Sequence, residues 1–215
     1  MGSLNFMDNA LSKSIAEHIT EQIITGVLKP GEKLVELIYA EEYGTSRAPV
    51  REAIYLLAKE GLVERIPRKG AIVKEYTENE IYDLLEIRNM LENMAMERIK
   101  KHGIDQILLR EMKQQLTEMK KIENIHSYTQ LNYSFHTCLI KMSKSETIKN
   151  MYSQLGWPLL RIQSLSFSNG NNIEKSISEH EIILQLLVDE NMNELTAVLQ
   201  KHNLDVISSI QKMLN

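Results

Sequence analysis

Arg47 and Arg51 stand four residues apart, so on a helix both side chains leave from one face. Arginine can make two hydrogen bonds to guanine O6 and N7, each such contact discriminating by roughly 1–3 kcal/mol, and the N-terminal end of a helix can enter a major groove. A second set of residues is built on histidine. Asn132 and His136 are also four apart, while His180 and His202 fall in the last two segments expected to be helical. Each histidine taken singly reads as a hydrogen-bonded core residue, but three on three helices can converge inside a bundle. From Thr77 onward there is no nucleophile–base pattern and no phosphate loop. The single cysteine, Cys138, excludes an intramolecular disulfide, a cysteine-rich zinc module and a dithiol redox site. Lying two positions from His136, it points to another face of its helix and reads as core filler.

The elements that position these groups follow from periodicity and breakers. Leu11, Ile15, Ile19, Ile23 and Val27 recur every four residues and predict an amphipathic helix over about 8–26. Lys29-Pro30-Gly31-Glu32 is a turn, and a short helix with Leu34, Leu37, Ile38 and Ala40 follows, stopped near Gly44. Thr45 or Ser46 caps a helix over about 47–59, with Val50, Ala53, Ile54 and Leu57 inward and Gly61 closing it. The period then changes to two short β-prone runs, 62–66 and 71–76, joined by Pro67-Arg68-Lys69-Gly70, a hairpin with a basic tip. This order predicts a winged helix-turn-helix of three helices and a hairpin wing. Beyond it strand signals vanish, and about six helices are predicted, near 78–101, 104–123, 127–142, 145–167, 173–190 and 192–213. Thr77-Glu78-Asn79-Glu80 reads as a capping box, which places the boundary between two domains, 1–76 and 77–215, and leaves a short linker. The predicted fold class is mainly α, a winged helix-turn-helix followed by an all-α six-helix bundle.

Charge supports the division. The chain of 215 residues carries a net charge of −4, yet Thr45 to Lys74 holds seven basic residues against three acidic ones. A local basic footprint inside an acidic protein is what a nucleic-acid reader needs. No run approaches the roughly 20 apolar residues of a membrane span, and the N-terminus lacks the basic-then-apolar order of a signal peptide. The chain is expected in the cytoplasm, away from any membrane. His18, His102 and His126 fit no pattern and are expected at the surface; the methionines and Trp157 are expected in the core.

The run from Gly26 to Glu36, with Gly44-Thr45-Ser46-Arg47-Ala48-Pro49-Val50-Arg51-Glu52-Ala53-Ile54 and Lys59-Glu60-Gly61-Leu62-Val63, resembles the GntR family of bacterial transcription regulators. The resemblance covers nearly all of 10–75 and implies DNA contacts by Thr45, Ser46, Arg47, Pro49, Arg51, Arg68, Lys69 and Gly70. Thr45 and Ser46 read equally as helix caps or phosphate ligands. Arg68, Lys69 and Gly70 read as a wing tip approaching the minor groove, or as an ordinary charged turn. Some relatives carry a DNA-touching arginine near the position of Leu37.

The remainder resembles the FCD class of C-terminal domains in the FadR-like branch of that family, and six helices match its shorter, metal-binding variety. There a carboxylate or amide four residues before one histidine, and two more histidines 22 apart, hold a divalent metal; His180 and His202 are 22 apart. The resemblance therefore implies a metal site of Asn132, His136, His180 and His202, with Asn132 where Asp is usual. Three imidazoles and one oxygen suit zinc first, then nickel or manganese, and leave room for a ligand carboxylate. Arg88 matches an arginine placed over the cavity of this class, where it would clamp the effector's carboxylate; an ion pair with Glu92 is the other reading. The function implied is a homodimeric regulator, a repressor, binding palindromic operator DNA and released by a small organic acid. The alternatives are a metal-dependent hydrolase using Glu179 or Glu181 as base, with the N-terminal domain as a docking module, and a winged helix that docks on another protein.

Overall fold

The computed structural model describes residues 3–68, 70–167 and 172–214, and the chain divides into two compact units, Met1–Tyr76 and Thr77–Asn215. In the first unit, α1 (Ser3–Ile24) packs on α3 (Arg47–Lys59), with α2 (Glu36–Glu42) between them in sequence. The apolar stripes meet here: Ile15, Ile19 and Ile23 of α1 and Val50, Ala53, Ile54 and Leu57 of α3 are all buried. Val27, expected on the same stripe, is 67% exposed, because Gly26 takes φ +79° and turns the chain off the helix.

Strands β1 (Lys33–Leu34), β2 (Val63–Ile66) and β3 (Gly70–Val73) form an antiparallel sheet in the order β1-β3-β2. The wing thus has a third strand that the periodicity did not show. Leu34, expected on the second helix, pairs with Ala71 across the sheet and is buried there. Two residues are too few for an alternation to be read, so only the partner strand defines β1. Leu37 and Ile38 of α2 are exposed, and Tyr39 and Ala40 form its buried face instead.

The second unit consists of α4 (Glu78–His102), α5 (Gln106–Met119), α6 (Ile125–Met142), α7 (Glu146–Gln154), α8 (Gly156–Phe167), α9 (Asn172–Val188) and α10 (Met192–Leu214). These are seven helices among the described residues, not six, and the count no longer favours the shorter variety of the domain class. The single helix expected over 145–167 is broken at Leu155. Pro158 has no N–H for the carbonyl of Gln154, and its ring would clash with that carbonyl, so it is tolerated only in the first turn of a new helix. Gly156 contributes separately: a Cβ there would stand 3.0 Å from the Tyr133 hydroxyl. Side chains close the other ends. Thr77 and Glu80 form a reciprocal capping box on α4, and Asp105, Asn124 and Ser145 cap α5, α6 and α7.

The bundle core is aliphatic, aromatic and sulfur-rich, with Met96, Met112, Met119 and Met142 fully buried. Other methionines are not core, contrary to expectation: Met90, Met94 and Met151 are at least half exposed. Met90 and Met94 share an exposed stripe of α4 with Ile87, while the adjoining Leu91 and Ala95 are buried.

Candidate metal centre and nucleic-acid interface

The first turn of α3 is open. Ser46 is its N-cap in extended conformation, but the Ser46 hydroxyl caps no amide. Pro49, buried in that turn, has no N–H to satisfy, which leaves the amides of Arg47 and Ala48 without a side-chain cap. Such a turn is suited to phosphate oxygens. Thr45 is half-buried and donates its backbone N–H to Ala40 O at 2.9 Å.

Arg47 is exposed at the head of α3, and Arg51 follows one turn later with 60% of its side chain exposed. Arg51 is not free. Its Nη2 and Nε donate to the two oxygens of Glu36 at 2.9 and 3.2 Å, a fork that fixes the guanidinium plane across α2 and α3. A groove of about 580 Å³ runs beside it between α2, α3 and the wing, lined by Lys33, Glu36, Arg51, Arg65, Arg68 and Gly70. Four cations face one carboxylate, which gives the groove the sign needed for a nucleic-acid backbone. Arg68 and Gly70 shape the wing tip with φ +65° and +98°; Lys69 lies outside the described residues.

In the bundle, the histidines arise from the buried stripes of three helices. Helix α6 buries Tyr128, Asn132, Phe135, His136 and Leu139; α9 buries Ser176, His180 and Ile183; α10 buries Leu195, Leu199, His202 and Asn203. Polar groups on apolar stripes require partners. His136, His180 and His202 are 0%, 0% and 3% exposed, and one ring nitrogen of each lies within 4.8 Å of one from each of the others. His136 Nε2 and His180 Nε2 are 3.2 Å apart. Two nitrogens each about 2.0–2.1 Å from a shared ion stand at about that separation.

The outer nitrogens are engaged by carboxylates, as in metal centres whose histidines are oriented from behind. His202 Nδ1 is 2.6 Å from Glu179 Oε2, and His136 Nδ1 is 3.2 Å from Glu92 Oε1 in a close but poorly aligned contact. Asn132 completes the set. Its Nδ2 donates to Gln163 Oε1 of α8 at 3.2 Å, while its buried Oδ1 has no partner. Converging imidazoles with an orphaned amide oxygen one helical turn before His136 are the kind of donors a divalent cation takes, so these residues fit a metal.

Glu92 is the residue that sequence reasoning missed as a centre. Fully buried, it receives Arg88 Nε at 2.9 Å, Tyr152 Oη at 3.1 Å and Asn203 Nδ2 at 2.8 Å. Burial would raise its carboxyl, but Arg88, His136 and Asn203 outweigh burial and hold it well below the usual range. Tyr152 and Asn203 are 60 and 111 residues away in sequence, and no local spacing signals them. Arg88 makes the ion pair that was one of its two expected roles, and its buried Nη2 remains without a partner for the other. Removing Glu92 as Glu92→Ala would leave Arg88 buried and uncompensated; a loss of about 3–5 kcal/mol is expected in urea unfolding.

Burial lowers His136 to about 4 despite Glu92, and burial likewise pushes His180 well below its ordinary value. Both are neutral at pH 7. Their folded-state values lie below the unfolded one, so the unfolded chain binds more protons in acid. Between about pH 6.5 and 4 the metal-free protein should therefore lose stability by about 3 kcal/mol through His136 alone, read as a falling Tm with falling pH.

Other expectations change. His18 is half-buried, hydrogen-bonded to the Tyr43 hydroxyl and edge-on to its ring, rather than at the surface. Cys138 faces Glu111 and Gln115 of α5, and burial pushes its thiol up to about 11. Glu179 is committed to His202 and Lys175, and Glu181 pairs with Lys120 on the surface, so neither is free to activate water.

Comparison with known proteins assigns both units. Residues 11–73 match the family described as bacterial regulatory proteins, gntR family, and residues 83–205, more than half the chain, match the FCD domain. The gluconate operon transcriptional repressor of Bacillus subtilis is 30% identical over 195 residues, covering 88% of this chain and 72% of that protein. LutR, an HTH-type transcriptional regulator from Bacillus subtilis, is 28% identical over 84% of this chain and 92% of its own length. Among solved structures, a putative GntR regulator from Rhodococcus sp. RHA1 superposes with a TM-score of 0.79 at 19% identity, covering 94% of this chain and 97% of that one. E. coli McbR/YncC gives 0.77 at 20% identity, covering 95% and 99%. These relatives are regulators and not enzymes, and no helix among the described residues is long and apolar enough to cross a membrane. The open first turn of α3, the basic groove beside it and the histidine-bearing bundle thus belong to a transcription regulator of the GntR family with an FCD domain.

Proposed function

We propose that the protein is a cytoplasmic, ligand-responsive repressor that binds a palindromic operator as a homodimer, and that a small organic acid bound at a divalent metal weakens its hold on DNA. The observation that carries this reading is the convergence of three buried imidazoles, in a bundle where Asn132 Oδ1 and Arg88 Nη2 are buried without partners. His136, His180, His202 and Asn132 would hold the ion, zinc first and nickel or manganese next. Bound there, it supplies a Lewis-acidic position for a carboxylate oxygen. Arg88 Nη2 meets the acid's charge, while Glu92 keeps the guanidinium in place through Nε. The relative named for the gluconate operon makes gluconate, a hydroxylated carboxylate, the first effector to test.

On the DNA side, Arg47 and Arg51 read base edges, and Thr45, Ser46 and the α3 amides receive phosphate, with Pro49 shaping the turn. Arg68, Lys69 and Gly70 carry the wing to the minor groove. Homodimerisation is supported by the exposed Ile87, Met90 and Met94 stripe of α4, apolar area that a second copy would cover. Two recognition helices would then sit one helical turn apart, and ligand and operator affinities must be reciprocally coupled.

The test is an anisotropy titration of the chain's own upstream DNA with zinc-loaded protein, with and without gluconate, then repeated after chelation. Specific binding that gluconate weakens about tenfold or more, a coupling of about 1.4 kcal/mol, supports the reading. Absence of sequence-specific binding would sink the repressor; an unchanged response after chelation would sink the metal.

A further inference from the structure

The outer side of the histidine cluster, at His202, has an approach from outside between α9, α10 and the C-terminal end of α8. At its inner end lies a pocket of about 30 Å³ lined by His202, Glu179 and Ser176, room for a single water or carboxylate oxygen. Outward it widens into a basin of about 270 Å³ that Ser208 and Lys212 help to line. Asn172, Lys175, Asp205 and Ser209 line both spaces, so the two form one cleft leading to a ligand-bearing histidine.

Lys175 stands across the neck of this cleft. Its Nζ is 2.6 Å from Asp205 Oδ2 on α10 and 3.7 Å from Glu179 Oε1, and the other oxygen of Glu179 is 2.6 Å from His202 Nδ1. One ammonium is thus shared by two carboxylates, in a row that ends on the imidazole. The side chains of Lys175 and Asp205 are 54% and 31% exposed, and a pair so placed contributes at most about 1 kcal/mol. It can open at a cost to the fold of no more than that. Deeper in, Ser176 is 4% exposed, and its Oγ faces the Tyr128 hydroxyl, but the two complete no hydrogen bond of good geometry with each other or with any other group. A buried hydroxyl with its hydrogen bonding incomplete, lining a narrow pocket, is a place for an incoming polar group.

We infer that this cleft is the passage by which the metal ion and the small carboxylate reach the histidine cluster, gated by the Lys175–Asp205 ion pair. The incoming carboxylate replaces Asp205 at Lys175, then passes its oxygen inward beside Ser176. The inference rests on the metal reading above and adds to it a route and a carboxylate receptor.

Zinc release from the loaded full-length protein tests it, using two chelators: neutral 1,10-phenanthroline and anionic pyridine-2,6-dicarboxylate. Asp205→Asn frees Lys175 and should speed release to the dicarboxylate by about fivefold or more, the effect of lowering a barrier by about 1 kcal/mol. Lys175→Met opens the neck but removes the receptor, so release to phenanthroline should speed and release to the dicarboxylate should slow. Ser176→Leu plugs the inner pocket and should slow both. Ser153→Leu, in a separate pocket beside Tyr133 and Trp157, should change neither. If Ser176→Leu fails to fold, the two surface variants decide. Equal rates in Asp205→Asn, Lys175→Met and the unaltered protein overturn the passage. Equal acceleration of both chelators by Lys175→Met overturns the carboxylate receptor. A wild-type protein that binds no zinc instead overturns the metal reading itself.

Discussion

Replacing Arg47 and Arg51 together with alanine is expected to abolish sequence-specific operator binding, lowering affinity by at least about a hundredfold, since each bidentate arginine–guanine contact discriminates by about tenfold or more. The geometry explains why both matter. Arg47 heads the open first turn of α3, and Arg51 lies one turn on with its guanidinium plane held by Glu36. Lysine at 51 should not rescue, because a point ammonium cannot reproduce the fork. Glu36→Gln separates positioning from contact: Arg51 stays, its orientation loosens, and discrimination between operator and random DNA should fall more than total binding. Anisotropy titrations on both duplexes at several salt concentrations read these quantities. The double variant should also show a shallower salt dependence, since it has lost cations that displace counterions. Unchanged specificity in the double variant would remove α3 as the reader.

His180→Ala should abolish metal binding and the effector response together while leaving operator binding intact in the absence of effector. Of the three imidazoles, His180 is the one whose outer nitrogen has no carboxylate behind it, so its loss removes a ligand without stranding a buried charge. An ion present at a hundred times its Kd stabilises the folded state by about 2.7 kcal/mol, so chelation should lower the Tm of the unaltered protein by about 10 °C. In His180→Ala, chelator should move the Tm no further. Asn132→Asp tests the remaining ligand from the other side. Restoring a charged oxygen should tighten the metal by about tenfold or more, as carboxylate suits a divalent cation better than amide. Calorimetric titration with zinc measures all three proteins. A Tm insensitive to chelator in the unaltered protein would dismiss the metal site.

Much of this molecule was legible in the order of its residues. Helical stripes such as Ile15, Ile19 and Ile23, or Val50, Ala53, Ile54 and Leu57, are local periodicities, and burial follows from them. The capping pair Thr77 and Glu80 sits where one unit ends and the next begins, and its geometry depends on four consecutive residues. The GntR motif and the spacing of His136, His180 and His202 were likewise readable, because a motif is a statement about neighbours in sequence.

What only the tertiary structure decided involves partners distant along the chain. Strand β1 exists because Lys33 and Leu34 meet Ile72 and Ala71. The Glu36 fork on Arg51 spans 15 residues, and the Glu92 network joins α4 to α7 and α10 across as many as 111. In each case the local sequence shows only a charged residue at an ordinary helical position. Its meaning depends on which side chain arrives opposite, and on burial, which makes an unmet charge too costly to keep. The sequence by itself offered two kinds of chemistry, arginines suited to DNA and histidines suited to a metal. The fold decided which groups stand behind them, because desolvation and pairing are set by packing and not by spacing.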